Sequence, residues 1–204
     1  MRQARHGMMI AAALLLASCG KPGGAGDAGF KTALQAWHDA HPVCVVLLAR
    51  FPYELRVKGR EGERRRFDAL AQAGLLSVES FQKPESDIRG GTVPADYLRY
   101  RVTDAGAAVL HPVDAPMADN TDLCFAQKRV TAIKGFTEPA EALGVRSSRV
   151  TYDWTLDKVA AWASSPAVRE AWPAIANTLN RSTGESTDTL VETDQGWRRR
   201  DGGR

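Results

Sequence analysis

Arg149-Val-Thr-Tyr-Asp-Trp-Thr-Leu156 is the stretch that sets the fold class. Val150, Tyr152, Trp154 and Leu156 alternate with Arg149, Thr151, Asp153 and Thr155, the period-two pattern of a strand with one dry face and one wet face. Leu123 to Ile133 reads as a second, longer strand. Thr189 to Thr193, then Asp194-Gln195-Gly196 and Trp197, read as strand, turn and strand. Between these strands, Thr137 to Gly144 predicts a turn or one helical turn, and Val159 to Ala163 a helical piece. Pro166 to Leu179 predicts a helix that opens on Pro166 and is divided at Pro173. The second half is therefore expected to be antiparallel strands with helices, an α+β arrangement.

Upstream the pattern is more mixed. Phe30, Leu34 and Trp37 recur at helical spacing until Pro42. Val43 to Ala49 and Phe51 to Val57 predict one or two strands, with Pro52 at a bulge or edge. A helix with Phe67, Leu70 and Ala71 on its apolar face should end at Gly74, which suits the C′ position. Leu76 to Phe81 and Tyr97 to Thr103 suit strands. The stretch from Gln82 to Pro94, holding Pro84, Gly90, Gly91 and Pro94, reads as a loop. Thr103 or Asp104 can cap a short helix, and His111 to Thr121 breaks the pattern again.

Two resemblances follow. Arg2 and Arg5 precede the apolar run Met8 to Leu16, too short to remain as a spanning helix, and the run closes on Leu16-Ala17-Ser18-Cys19. This resembles the signal peptide and lipobox of bacterial lipoproteins. The resemblance implies cleavage after Ser18 and a diacylglycerol thioether on Cys19. Residues 1–18 are then the signal peptide. Residues 19–29, rich in glycine, are expected to be a flexible tether. Gly20 is not the aspartate that favours inner-membrane retention in enterobacterial lipoproteins, so the resemblance implies the outer membrane, facing the periplasm. The mature chain also resembles exported Gram-negative proteins, which transfers no activity.

Leu70-Ala-Gln-Ala-Gly-Leu-Leu76 and Tyr100-Arg-Val-Thr-Asp-Ala-Gly106 resemble the back half of a winged-helix domain, in which a helix leads into a two-stranded wing. This implies a winged-helix-like part over residues 30–116 and a second part over residues 117–204 with a basic tail. The front half departs from the family, since residues 30–57 offer no helix pair.

Composition excludes little. Hydrophobic residues make 44% and charged residues 25% of the chain, ordinary for a globular protein. The formal charge of +3 includes Arg2 and Arg5, so the processed chain is near neutral and gives no argument for nucleic acid. His38, Asp39 and His41 have metal-like spacing but lack a third ligand, and read as solvated helix-end groups. No Gly-x-Ser-x-Gly elbow and no phosphate-cradling glycine loop is present. The carboxylate pairs Glu138/Glu141 and Asp153/Asp157 read as exposed. Neither catalytic nor metal-ligating residues, nor any cofactor, are assigned. Arg64, Arg65 and Arg66 form the one basic cluster, suited to an anionic envelope component or an acidic partner, or else simply a solvated helix entrance. Trp154, Trp162, Trp172 and Trp197 crowd the second half and are expected mostly in the core. With Cys19 acylated, Cys44 and Cys124 remain in an oxidising compartment and are expected to pair.

The expected function is a lipid-anchored envelope protein acting as a non-enzymatic binding or assembly module. The alternatives are an envelope hydrolase with an unrecognised site and a winged-helix DNA-binding protein.

Overall fold

The computed structural model describes residues 26–115 and 118–200. The chain runs α1 (Asp27–Ala40), β1 (Val43–Leu47), β2 (Tyr53–Arg56), α2 (Glu61–Gln72), β3 (Leu76–Ser86), β4 (Thr92–Val102), α3 (Asp104–Ala107) and β5 (Leu110–Ala115). It continues with β6 (Ala118–Phe136), β7 (Ala140–Ala142), β8 (Val145–Asp157), a 3-10 turn (Ala161–Ser164), α4 (Pro166–Ala171), α5 (Pro173–Asn180), β9 (Thr183–Thr193) and β10 (Gly196–Arg199).

The alternation at 150–156 does what its pattern dictates. Val150 and Tyr152 are buried while Arg149 is exposed, and β8 lies in the middle of a seven-stranded antiparallel sheet ordered β1-β6-β8-β9-β10. β5 also pairs with β6, and β7 with β8. The long strand β6 carries register shifts between Val130 and Ala132 and between Ile133 and Gly135. Each extra residue bends the strand and increases its twist, so the sheet curls into a half-barrel. α1 lies on its inner face. Phe30 and Leu34, four residues apart on one helix face, are buried with Val130, Val150, Tyr152, Leu190 and Trp197. Gln35 latches the helix to the bent strand: its Oε1 accepts from Val130 N at 2.8 Å and its Nε2 donates to Lys128 O at 3.2 Å. It occupies the place a neighbouring strand would take.

A second cluster holds the rest together. Phe67 and Leu70 of α2, Tyr100 of β4, Leu123 and Phe125 of β6, and Val168, Trp172 and Ile175 of α4–α5 are all buried in it. β2, β4 and β3 form a separate three-stranded sheet. Between α2 and β3, Gly74 has φ +78. Leu75 N bonds to Leu70 O at 3.0 Å and Gly74 N to Ala71 O at 2.9 Å, the Schellman closure of a helix. Thr103 Oγ1 accepts from Gly106 N at 3.0 Å and caps α3.

Gly106 is present because nothing larger fits. A Cβ there would stand 2.0 Å from the Leu75 carbonyl oxygen, a backbone atom that cannot swing aside. Gly106→Ala is expected to cost about 3 kcal/mol. Urea unfolding measures it, and a loss below about 0.5 kcal/mol would show that the two loops part freely.

The winged-helix expectation is overturned. Strands predominate among the described residues, and the few helices are scattered around the curled sheet. α1 packs on β6 and β10 instead of pairing with α2, and β1 leaves the first part to pair with β6. The motif that suggested the family specifies only a helix cap, a hairpin and a helix start, which many folds contain. The division at residue 116 falls in the connection between the paired strands β5 and β6, so the parts 30–116 and 117–204 share one sheet. Three smaller corrections follow. Residues 27–29, read as tether, form the first turn of α1. The expected loop at 82–94 is mostly strand, with Pro84 opposite Pro94 and only Asp87–Gly91 as turn. The break at 111–121 is β5 and the start of β6. Pro84 and Pro112 are tolerated because β3 and β5 each pair on one side only, and Pro94 because β2 pairs with β4 only from Tyr97 to Tyr100.

The stretch 137–144 is also a hairpin. Ala142 pairs with Val145 across the two-residue turn Leu143-Gly144, with φ of 53 and 74. Positive φ at both positions is the type I′ signature, which favours Asn-Gly. Leucine there is both strained and fully exposed.

Candidate functional site

α2 enters through a charged first turn and turns its apolar side, Phe67 and Leu70, into the core. The remaining face meets α4 and the start of α5. Between them lies a groove of about 710 Å³ lined by Arg65, Arg66, Asp68, Ala69, Gln72, Ala167, Glu170, Ala171 and Pro173, with Gly62 at one end. Small residues make its floor: Ala69 from α2, Ala167 and Ala171 from α4.

The three arginines of the basic cluster part company. Arg64 Nε lies 3.6 Å from Asp68 Oδ2, one helical turn on. Arg66 places its guanidinium 5.6 Å from the Trp172 ring centre, and its carbonyl accepts from the Trp172 indole at 3.0 Å. Arg65 is exposed on the groove wall. Asp68 Oδ1 accepts from the Tyr100 hydroxyl at 2.7 Å, and burial together with that carboxylate raises the phenol. On the far side of α2, Tyr53 donates to Glu63 at 2.5 Å, and burial and the bond push it up to about 12. These bonds fix α2, and with it the groove wall. Glu170 faces the groove too, so the groove offers charges of both signs around an apolar floor. That suits a peptide segment better than a uniformly anionic surface.

Cys44 and Cys124 are directly opposite on β1 and β6. Their sulfurs are 2.02 Å apart and their Cα atoms 3.9 Å, within bonding reach. Cys19 lies outside the described residues.

The sequence reading missed a buried polar chain. His38 is 4% exposed and is not a solvated helix-end group. Its Nε2 is 3.0 Å from the Tyr152 hydroxyl, which donates to Asp188 Oδ2 at 2.7 Å. Arg199 Nε stands 2.7 Å from Asp188 Oδ1 without hydrogen-bond alignment, and its guanidinium lies 3.9 Å over Trp37. Burial first, then nearby Lys128, lowers the His38 pKa to about 4, while Asp188 opposes the shift. Burial and Asp188 together raise the Tyr152 phenol. The signal was present: His38 follows Phe30 and Leu34 at the next step of four. His41, by contrast, is exposed and stacks on Trp37 at 4.2 Å. Trp172 and Trp197 are buried, and Trp154 and Trp162 half-buried.

A closed-off, neutral imidazole whose partner is a tyrosine hydroxyl is a structural bond, not a base poised beside a nucleophile. No three His, Cys, Asp or Glu residues among the described ones are placed to hold a metal. The β3–β4 hairpin offers phosphates little. Arg56 pairs with Glu85, Lys83 and Arg99 with Glu54, and Arg101 with Glu79, at 2.5 to 3.1 Å. Among the described residues no helix is long and apolar enough to cross a membrane.

Comparison with protein-family models, with curated proteins and with solved structures returns no match to this chain.

Proposed function

We propose that this protein is a lipid-anchored envelope module that binds a segment of another envelope protein in the α2–α4 groove. The groove carries the reading: about 710 Å³, an alanine floor, and Arg65 and Glu170 of opposite charge beside it. A segment with a small apolar side chain flanked by a carboxylate and a cation complements it. The lipobox pattern ending in Cys19 supports the anchor and the address at the outer membrane. The adjacent sulfurs of Cys44 and Cys124 support an oxidising compartment, and we take them to be bonded there.

The test is photocross-linking in a Gram-negative host. A cross-linking residue at Arg65 should trap one defined adduct, and the same residue at exposed Thr187 on β9 should not. Ala167→Trp, at a half-buried floor position, should fill the groove and abolish the adduct while the protein still accumulates folded. Equal adducts from both positions, or an adduct indifferent to Ala167→Trp, would reject the groove. The anchor is checked separately with a fatty-acid probe, which should label the native chain and not Cys19→Ala.

A further inference from the structure

The Leu143-Gly144 turn carries a fully exposed leucine at its tip. Leu143 is 103% exposed, and Val145, the first residue after the turn, is 46% exposed. Leucine is the wrong residue for this turn on two counts. Its Cβ is strained at φ 53, where Asn or Gly is relieved, and its side chain stands wholly in solvent. Fold stability favours neither, so the residue answers to something outside the fold.

The position of the turn indicates what. Phe30, in the first turns of α1, lies 5.0 Å from Phe136 and 5.0 Å from Trp197. Trp197 is opposite Glu192, and Glu192 bonds Arg146, two residues from the turn. The other end of α1 sits at Tyr152, farther from the turn along β8. The N-terminal end of α1 therefore faces the same end of the sheet as Leu143. From Val150, opposite Phe136, five residues of strand carry β8 about 17 Å to Val145, with the turn beyond. The seven steps from Cys19 to Gly26 span at most ~25 Å. A lipid plane holding Cys19 is thus within reach of the turn.

We propose that the Leu143-Gly144 turn dips into the phospholipid surface that holds the protein, as a second contact beside the acyl anchor. The inference rests on the lipid-anchor reading above. The diacylglycerol on Cys19 already supplies two acyl chains, and an inserted leucine adds its own apolar burial to theirs. The contact is apolar, not electrostatic. Glu138 and Glu141 are exposed beside the turn, and Arg146 is paired with Glu192 at 3.0 Å, so no cation cluster draws it to acidic headgroups. Zwitterionic lipid suffices.

The experiment uses the full lipidated chain, its acylation verified by the fatty-acid probe, in phosphatidylcholine vesicles. In Leu143→Trp, lipids brominated on the acyl chains should quench the added indole beyond the background of the five native tryptophans. Leu143→Asn installs the residue the turn prefers. Its unfolding midpoint should be unchanged or higher, yet transfer from donor to acceptor vesicles should be about tenfold faster, as loss of most of one buried leucine predicts. Both effects should persist in high salt. Labelled protein that shows no added quenching and equal transfer rates overturns the proposal, including the case of a turn buried against a protein. An unlabelled native chain overturns the anchor and the proposal together.

Discussion

Cys44→Ala/Cys124→Ala is expected to unfold in urea with about 4 kcal/mol less stability than the oxidised protein, the loss for releasing a loop of 80 residues. The two cysteines occupy opposed positions on β1 and β6, and among the described residues β1 has no other strand partner. Without the bond, β1 depends on ladder bonds to β6 and on Leu47 and its neighbours in the core. Reductant should reproduce the loss in the native protein and do nothing to the double variant. Equal urea midpoints for oxidised, reduced and substituted protein would show that the sulfurs are adjacent without being bonded.

Acidification removes a further share. The His38 pKa of about 4 in the folded chain lies below its ordinary 6.5. The unfolded chain therefore binds the proton first. The stability contributed by neutral His38 is complete above pH 6.5 and is lost as pH falls from there toward about 4, where the folded form is protonated too. Across that window the loss is about 3 kcal/mol. Glu54, Glu79, Glu85 and Asp157 are held below the usual carboxylate range by their arginine, lysine or tyrosine partners. Their contributions are lost at lower pH, so the slope between pH 5 and 6.5 reports His38. His38→Gln keeps a hydrogen-bonding side chain but does not titrate. Urea unfolding across this range should show a slope in the native protein and almost none in the variant; parallel profiles would place the acid sensitivity elsewhere.

How legible all this was in the sequence depends on the range of each interaction. Periodicity located β8, the bulk of β6 and the first helix, because burial on one face is written into neighbouring residues. Gly74 and Thr103 marked a helix end and a helix start, because caps are local. Pro173 divided the last helices for the same reason. The two cysteines could be paired because only two remained. The fold class was misread because Leu70–Leu76 and Tyr100–Gly106 encode a helix, a cap and a hairpin, while the packing of α1 is decided by Val130, Val150, Leu190 and Trp197, all distant in sequence. Prolines and glycines at 84–94 suggested a loop, since a sequence does not say which strand edge lies open. The groove could not be foreseen either: Arg65 and Glu170 line it from helices about a hundred residues apart, and only the fold brings them together. Of the basic cluster, the sequence indicated the location and the structure separated its members.

The ring of Phe30 meets that of Trp197 edge to face. These residues belong to the first and last elements of the described chain, so its two ends are neighbours and the backbone runs nearly as a closed circuit. A short linker could join Gly26 to Arg200, and the ring could be reopened at the Asp87–Gly91 turn. The order in which the ribosome delivers the strands would change, while the curled sheet and its inner helix would assemble as before.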